Sequence, residues 1–173
     1  MSLQVSVFST PLGWFCLLGR DRRVSQLTIG HRRAEEAPLR RLKPLINDRL
    51  EESDWQPELR ERLQRFASGE VVSFDDIAVE IGHRTPFQQR VLIATRGIGF
   101  GETISYGKLA DRVGSPNAAR AVGAVMASNQ IPIIIPCHRV VGSRGELVGF
   151  SAPRGIDLKR RLLRMEQLAA PVM

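Results

Sequence analysis

The segment IPIIIPCHRVVG, residues 131–142, ends an apolar run with a cysteine beside a histidine. The chain has only two cysteines and three histidines, so Cys137 and His138 are candidates for nucleophilic chemistry. A thiol that leaves an apolar segment is poorly solvated, which raises its pKa and makes it inert unless a base or a positive charge lies nearby. His138 can supply the base and Arg139 the charge.

Glu166 is the residue that can orient this histidine. It lies in a predicted helix, DLKRRLLRMEQL, at the edge of the apolar stripe formed by Leu158, Leu162 and Met165. A carboxylate at that edge needs a partner, and a histidine would satisfy it. A lone buried cysteine is nevertheless more often a small core residue than a nucleophile, so the residues alone leave both interpretations open.

A metal site is the weaker alternative for these residue types. Cys16, His31, His83 and Cys137 follow no compact ligand spacing, and Cys16 lies in a predicted strand where a core role is sufficient. We therefore predict no metal and no cofactor.

Composition is that of a globular protein, and the charge is unevenly distributed. The chain has 173 residues, 43% of them hydrophobic, and a formal net charge of +7. Residues 1–83 hold 12 Lys+Arg against 13 Asp+Glu, whereas residues 84–173 hold 13 against 5. The basic second half favours a polyanionic partner such as nucleic acid, with a merely soluble basic surface as the alternative.

Neither a membrane span nor an export signal is expected. No apolar stretch approaches the ~20 residues that cross a bilayer, and the N-terminal residues match no signal peptide. We expect a protein that contacts no membrane and keeps its thiols reduced.

Residues 1–83 predict an α/β domain. The segments LQVSVFS, GWFCLLG and VSQLTIG, separated by turn signals, predict a three-stranded antiparallel meander. Residues 34–52 predict a helix interrupted at Pro38 and Pro44. A clearer helix follows from Pro57 to Gly69, and residues 72–81 predict a further strand.

Residues 84–173 predict a mostly α domain with a winged helix-turn-helix. Thr85, Ser105 and Ser115 are the predicted N-caps of three helices, and Pro116 suits the first position of the third. A short turn joins the last two helices, as in a helix-turn-helix. The IPIIIP run that follows is predicted to be a buried strand or extended segment.

One face of the third helix is unusual in its small residues. Ala121, Ala124 and Ala127 share it, and Arg120 is its only long side chain. Small residues let a partner approach the backbone closely, but they also suit a second packed face inside the protein. Helical spacing alone leaves both interpretations of this face open.

These segments together resemble a known family. The motif PCHRV, preceded by ARAVGAVMASNQIPIII and followed by GELVGF, closely resembles the O6-alkylguanine-DNA alkyltransferases, also called methylated-DNA–protein-cysteine methyltransferases. The resemblance runs from about Phe87 to Glu166. The N-terminal half matches only in layout, where the family carries a sequence-variable α/β domain of ribonuclease-H-like form.

The resemblance implies a direct-reversal DNA repair protein. Such proteins flip O6-alkylguanine, and in some cases O4-methylthymine, out of double-stranded DNA and transfer the alkyl group irreversibly to a cysteine. The implied partner is alkylated duplex DNA bound through the minor groove, and the implied location is the cytoplasm at the nucleoid, or the nucleus in a eukaryote. We expect a monomer that is consumed after one transfer.

The resemblance also implies individual roles. Cys137 matches the alkyl acceptor, His138 its base acting through a water, Glu166 the residue that orients the base, and Asn129 the hinge that braces the recognition helix. Tyr106, Val140 and Ser151 match the guanine-binding residues, Val140 through its carbonyl. Arg120 matches the arginine that fills the gap left by the flipped base. The other residues that the resemblance places at the DNA, besides Tyr106, are Ser115, Gly107, Ala121 and Ala124.

One departure concerns the loop after Gly149. Phe150 stands where a tyrosine is common, and the APRG that follows Ser151 is longer and stiffer than the usual Gly-Gly. We therefore expect methyl groups to be transferred in preference to benzyl groups. Three rival functions stay open: a lesion sensor, a regulator with Cys137 as redox sensor, and a cysteine hydrolase.

Overall fold

Strands β1 (Leu3–Thr10), β2 (Gly13–Arg20) and β3 (Arg23–His31) form an antiparallel meander, which confirms the prediction. The computed structural model describes residues 2–36 and 50–170. A fourth strand, β4 (Leu50–Glu52), pairs parallel with β1, so the sheet order is β3-β2-β1-β4. The result is a mixed sheet of four strands in the described part of the N-terminal half.

The helix predicted over residues 34–52 is wrong at both described ends. Ala34–Glu36 form only a 3-10 turn, and β4 lies where the helix was expected to end. The free edge of β1 offers backbone partners that override helical propensity, and the amide of Ser53 continues this pairing by donating to the carbonyl of Val5. The predicted interruptions at Pro38 and Pro44 lie outside the described residues.

The sheet buries side chains on both faces. Phe15 and Leu17 of β2 belong to the main core, whereas Cys16 and Leu18 point the other way into a smaller cluster. Burial raises the pKa of the Cys16 thiol to about 12. Cys16 is therefore a core residue, as its strand position predicts.

Helix α1 (Pro57–Ala67) confirms the helix predicted to begin at Pro57, and Gly69 follows it in the left-handed region. Its Leu59, Leu63 and Phe66 are buried against the sheet. The strand predicted over residues 72–81 is wrong: a turn interrupts it, and only a parallel bridge between Val79 and Val24 forms.

The C-terminal half is mainly helical. Thr85 caps the first helix through a capping box with Gln88, and Ser105 caps the second by accepting from the amide of Lys108, so both predicted caps are confirmed. The helices are α2 (Pro86–Arg96), α3 (Tyr106–Arg112), α4 (Ala119–Ala127) and α5 (Gly155–Ala169).

The predicted start of the third helix is wrong. Ser115 is not its cap, because α4 begins at Ala119 and residues 115–118 form a turn closed by a bond from the Ala118 amide to the Ser115 carbonyl. Asn117 adopts φ +70°, a left-handed conformation that a helix cannot contain. Pro116 therefore lies in this turn and not in the helix.

A short pair of parallel strands joins two separate segments of the C-terminal half. Strand β5 (Ile104–Ser105) pairs with β6 (Val140–Val141), which places the start of α3 beside the residues that follow Cys137. One hydrophobic cluster extends from the sheet through α1 to the C-terminal helices. Within residues 2–36 and 50–170, no helix is long and apolar enough to cross a membrane.

Candidate active site

The IPIIIP run is buried as expected, but it is a turn and not a strand. Ile133 adopts φ +71°, and the amide of Ile135 donates back to the carbonyl of Ile131. A left-handed conformation at a β-branched residue is strained, so the surroundings must impose it. The prediction failed because a continuous apolar run has the same pattern in a strand and in a buried turn.

Asn129 and the edge of the N-terminal sheet hold this turn. The Asn129 side chain donates from Nδ2 to the carbonyl of Ile135 at 2.8 Å and accepts from the amide of Ile131 at 3.1 Å. The amide of Leu27, on β3, donates to the carbonyl of Gln130 at 2.9 Å. The segment that delivers Cys137 is thus braced at its base by a side chain and by the sheet.

Cys137 opens a 3-10 turn and is only 7% exposed. Burial raises the pKa of its thiol, while the Asn129 side chain and the positive charge of Lys159 act in the opposite direction. The thiol is therefore protonated at neutral pH until a base removes its proton.

His138 and Glu166 meet as the sequence predicts. The Nε2 atom of His138 lies 2.8 Å from Oε1 of Glu166, and both side chains are buried. The second ring nitrogen, Nδ1, is also buried and has no hydrogen-bond partner among the described residues. A hydrogen on Nε2 shared with the carboxylate leaves Nδ1 as the atom that can accept a proton.

Arg139 completes this buried group in a way that the sequence analysis missed. Its Nε and Nη2 atoms bind the Glu166 carboxylate at 3.0 and 2.8 Å, and the amide of Gly101 donates to the same group at 3.1 Å. Burial would raise the pKa of Glu166, but the hydrogen bonds from His138 and Arg139 outweigh it and lower the pKa to about 2. Burial lowers the pKa of His138, which keeps the ring neutral and able to act as a base.

Lys159 is the second residue that the sequence analysis missed. It is 1% exposed, and its Nζ donates to the carbonyl of Val140 at 2.7 Å and to that of Val148 at 3.2 Å. Burial lowers the pKa of its ammonium group, and Cys137 opposes that effect. Helical spacing could have identified it, since Lys159 lies seven residues before Glu166 and so shares the buried face of α5.

Tyr106 lies at the start of α3, next to this cation. Its hydroxyl donates to the carbonyl of Val148 at 3.3 Å and lies 3.5 Å from Nζ of Lys159. Burial raises the pKa of the phenol, and the nearby Cys137 adds to this effect, so the hydroxyl keeps its proton and can donate it to a ligand.

A pocket of about 570 Å³ brings four of the predicted residues together, namely Tyr106, Arg120, Cys137 and Ser151. We call it the α4 pocket, and Lys159 also lines it. His138 and Glu166 lie behind Cys137 in the protein interior, and the carbonyl of Val140 faces Lys159. Asn129 lies beneath the turn and not in the α4 pocket.

The small-residue face of α4 is exposed, which decides between the two alternatives. Ala121, Ala124 and Ala127 face solvent together with Arg120, whereas Val122, Val125 and Met126 pack inward. Gly107 on α3 is also exposed, and a side chain added there would meet open space. Ser115 is partly buried in the turn between these helices, and the Ser151 hydroxyl donates to the carbonyl of Ala127 at 2.9 Å.

Comparison with known proteins agrees with this geometry. Residues 86–168 match the family model described as 6-O-methylguanine DNA methyltransferase, DNA binding domain. The methylated-DNA–protein-cysteine methyltransferase of Mycolicibacterium paratuberculosis is 33% identical over 176 residues, which cover 98% of this chain and 95% of that protein. The chain belongs to the methylated-DNA–protein-cysteine methyltransferase family.

Other members of the methylated-DNA–protein-cysteine methyltransferase family agree in sequence and in fold. The Mycobacterium tuberculosis member is 48% identical over 112 residues, a stretch that spans 64% of this chain and 65% of that protein. The crystal structure of the M. tuberculosis O6-methylguanine methyltransferase superposes with a TM-score of 0.80 at 33% identity, covering 99% of this chain and 96% of that one. A structure of the same mycobacterial protein in complex with DNA gives a TM-score of 0.79 at 34% identity, covering 98% and 96%.

The positions of the histidine, cysteine and acidic side chains bear on the metal alternative. Among residues 2–36 and 50–170, no group of three or more histidine, cysteine or acidic side chains could hold a metal ion. Cys16 and Cys137 are both free thiols on separate sides of the fold, Cys16 within the sheet and Cys137 at the α4 pocket.

Proposed function

We propose that this protein is a direct-reversal DNA repair protein that transfers the alkyl group of O6-alkylguanine to Cys137. The main substrate is O6-methylguanine in duplex DNA, with O4-methylthymine as a further one. The observation that carries the proposal is a buried thiol at the α4 pocket, followed in the chain by His138, whose buried ring is bound to Glu166. The pocket opens beside the exposed small-residue face of α4, where a duplex can approach.

DNA binding rests on α3 and α4 as a helix-turn-helix, followed by a wing over residues 142–150. Ala121 and Ala124 let the backbone of α4 enter a minor groove only ~6 Å wide. Gly107 and Ser115 offer backbone and a small hydroxyl to the phosphates, as short side chains do in such interfaces. Arg120 extends from the same face and fills the space left in the duplex by the flipped nucleotide.

The sheet and α1 form the N-terminal domain, which has the ribonuclease-H-like layout of the family. The proposed domain boundary lies between residues 83 and 84, and the start of the match to the DNA-binding family model at residue 86 supports it. The protein acts as a monomer, in the compartment that holds the DNA.

Guanine recognition uses groups that line or face the α4 pocket. The Tyr106 and Ser151 hydroxyls, which donate to the carbonyls of Val148 and Ala127 in the free protein, exchange those bonds for bonds to the base. The carbonyls of Cys137 and Val140 accept from its amino group. The Val140 carbonyl already accepts from Lys159 at 2.7 Å, but a carbonyl oxygen has two lone pairs and can accept a second bond.

Transfer begins with removal of the thiol proton. A water between Sγ of Cys137 and Nδ1 of His138 passes the proton to the ring, while Glu166 holds Nε2. The thiolate attacks the alkyl carbon, so that a carbon–sulfur bond forms as the bond from carbon to O6 breaks. The guanine leaves with the electron pair and regains a proton from His138 through the same water.

Lys159 stabilises both negative charges that develop in this step. Its ammonium group favours the thiolate of Cys137 and, through the Tyr106 hydroxyl at 3.5 Å, the departing base. The product is a thioether, which has no easy route to hydrolysis. Each molecule therefore acts once, and the chemistry is stoichiometric.

Intact-mass measurement tests the proposal. After incubation with a duplex bearing one O6-methylguanine, we expect one methyl group on Cys137 in the wild type and none in Cys137→Ala. Cys16→Ala is the matched control, since Cys16 is buried in the sheet, and it should gain the methyl group. Tight lesion binding without a mass change would indicate a sensor, and neither binding nor transfer would indicate a regulator or a hydrolase.

A further inference from the structure

The Phe66 ring, on α1 of the N-terminal half, packs against the imidazole of His138. The two ring centroids lie 6.4 Å apart and the ring planes make an angle of 63°, an edge-to-face contact of the kind that aromatic pairs prefer. Both side chains are fully buried. Helix α1 therefore reaches the proposed base of Cys137 directly, although no described residue of the N-terminal half lines the α4 pocket.

The orientation of the His138 ring is not fixed by Glu166 alone. The covalent bond at Cγ and the hydrogen bond at Nε2 hold two atoms of the ring, and rotation about the line through these atoms moves Nδ1. Nδ1 takes the thiol proton in the proposed mechanism, and it has no hydrogen-bond partner among residues 2–36 and 50–170. Packing against the ring must therefore hold Nδ1 in place, and Phe66 supplies such packing.

Two further aromatic rings hold Phe66 itself. The Phe74 ring meets it at a centroid distance of 5.8 Å and an angle of 70°, and the Phe100 ring at 6.0 Å and 86°. The carbonyl of Phe74 accepts from Nη2 of Arg96 on α2 at 2.8 Å, which ties this cluster to the C-terminal half. The position of Phe66 is therefore set by packing in the free protein, as a residue that orients a reacting group requires.

Phe100 extends the same cluster to the carboxylate that binds the base. The guanidinium carbon of Arg139 lies 5.8 Å from the centre of the Phe100 ring, and this guanidinium binds Glu166. Phe66 thus contacts His138 directly and, through Phe100, supports the group that holds the hydrogen-bond partner of His138.

We propose that Phe66 is a positioning residue for the base: it holds the His138 ring at the angle at which Nδ1 serves the Cys137 thiol, and it keeps water away from the rest of that ring. This role rests on the proposed alkyl transfer and concerns the same base. Because Phe66 does not line the α4 pocket, it acts through His138 and not on the substrate.

Phe66→Leu tests this role, with Phe15→Leu as the matched control. Phe15 is equally buried in the same hydrophobic cluster, but its ring contact is with Phe8 of the sheet. We expect Phe66→Leu to slow methyl transfer by about tenfold to a hundredfold, on duplex DNA and on free O6-methylguanine alike, because the general base is misplaced. Phe15→Leu should keep the wild-type rate, and urea unfolding checks that both variants are folded under the assay conditions.

The protonation of the His138 ring gives a readout that a mere loss of stability does not change. The chain has only three histidines, so ¹⁵N-labelled rings can be followed individually by NMR. The ionisable groups around the ring are unchanged in Phe66→Leu: Cys137, Arg139, Lys159 and Glu166. Loss of the Phe66 ring admits water and weakens the burial that lowers the pKa of His138. The ring should therefore take up its proton at a higher pH than in the wild type, and the acid limb of the transfer rate should shift upward with it.

A second variant keeps the core filled. Phe66→Met replaces the rigid ring by a flexible chain, and it should show the same two changes. An unchanged His138 titration in both Phe66 variants, or an equal loss of transfer rate in Phe15→Leu, would overturn the proposal. Absence of methyl transfer in the wild type would instead refute the repair function, and the ring titration would still decide whether Phe66 holds His138.

Discussion

The Nζ atom of Lys159 lies 2.7 Å from the carbonyl oxygen of Val140, within the pocket that also holds the Cys137 thiol. A buried ammonium group has a high desolvation cost, and here three oxygen atoms of Val140, Val148 and Tyr106 meet it. Its positive charge acts on both the Cys137 thiol and the Tyr106 hydroxyl, which lies 3.5 Å away.

Lys159→Met keeps most of the side-chain volume and removes the charge. We expect transfer of a methyl group to slow by about tenfold to a hundredfold, because a hydrogen bond to a charged group contributes about 1.5–3 kcal/mol. The apparent pKa of Cys137, followed by its alkylation with iodoacetamide across pH, should rise. Lys108→Met on the exposed face of α3 is the control for charge alone, and an unchanged thiol titration in Lys159→Met would contradict the role.

The buried carboxylate of Glu166 predicts a loss of stability in acid. Its pKa is lowered from 4.5 to about 2, so it favours the folded state above pH 4.5, and this contribution is lost as the pH falls from 4.5 towards 2. The expected loss of unfolding free energy over this window is roughly 3 kcal/mol. Urea unfolding at pH 7, 4.5, 3 and 2 measures it.

Glu166→Gln should be less stable at pH 7 by about 3–5 kcal/mol, because Arg139 is left buried without its counter-charge. Its stability should depend less steeply on pH than that of the wild type. Asp76→Asn breaks an exposed pair with Arg62 that solvent screens, so it should change the slope much less. Identical slopes for Glu166→Gln and the wild type would show that another group dominates the acid transition.

Arg120→Ala should separate base flipping from chemistry. Its guanidinium is exposed on α4 and lines the α4 pocket, so in the proposed function it contacts the duplex and not the sulfur. We expect repair of duplex DNA to slow by at least tenfold while reaction with free O6-methylguanine changes less than twofold. Arg164→Ala, an exposed arginine on α5, controls for net charge, and equal losses on both substrates would rule out the role of Arg120.

Arg84 stabilises the C-terminal end of α4. It donates to the carbonyl of Ser128 at 3.1 Å and to the Ser128 hydroxyl at 3.0 Å, next to Asn129. Positive charge at a helix C-terminus is favourable, so Arg84→Met should lower the free energy of unfolding by about 1 kcal/mol. Arg84→Lys should recover only part of this loss because it lacks the planar fork, and equal urea midpoints for Arg84→Met and the wild type would contradict the prediction.

The loop after Gly149 predicts faster transfer of methyl than of benzyl groups. Phe150 and Ser151 line the α4 pocket together with Cys137, and Pro153 stiffens the loop that carries them. A rigid ring must displace this loop, whereas methyl need not. Single-turnover rates on duplexes with either group measure the preference, and comparable rates would refute it.

Local signals in the sequence were sufficient for the meander, for α1 and for the caps at Thr85 and Ser105, because each depends on residues a few positions apart. Local signals also identified the candidate thiol and its candidate base, because Cys137 and His138 are adjacent in the chain. The partnership of His138 with Glu166 was predictable because an edge carboxylate on an apolar helix face needs a partner.

Other features depended on contacts that no local pattern contains. β4 exists because β1 leaves an edge to pair with, and the IPIIIP turn exists because Asn129 and β3 supply the hydrogen bonds that a strand would have obtained from a ladder. The start of α4 was wrong for a different, local reason: Asn117 takes a left-handed conformation, which asparagine adopts more readily than other non-glycine residues, so the helix begins only after it.

Residue type and adjacency in the sequence therefore identified Cys137 and His138 as candidates, and the family resemblance implied their proposed roles as alkyl acceptor and base. Only the tertiary structure decided that Arg139 neutralises Glu166 across 27 positions and that Lys159 meets Val140 across 19. Buried charges take whichever partners the fold brings within about 3 Å, because an unpaired charge in the interior costs several kcal/mol. The identity of those partners is a property of packing and not of the chain order.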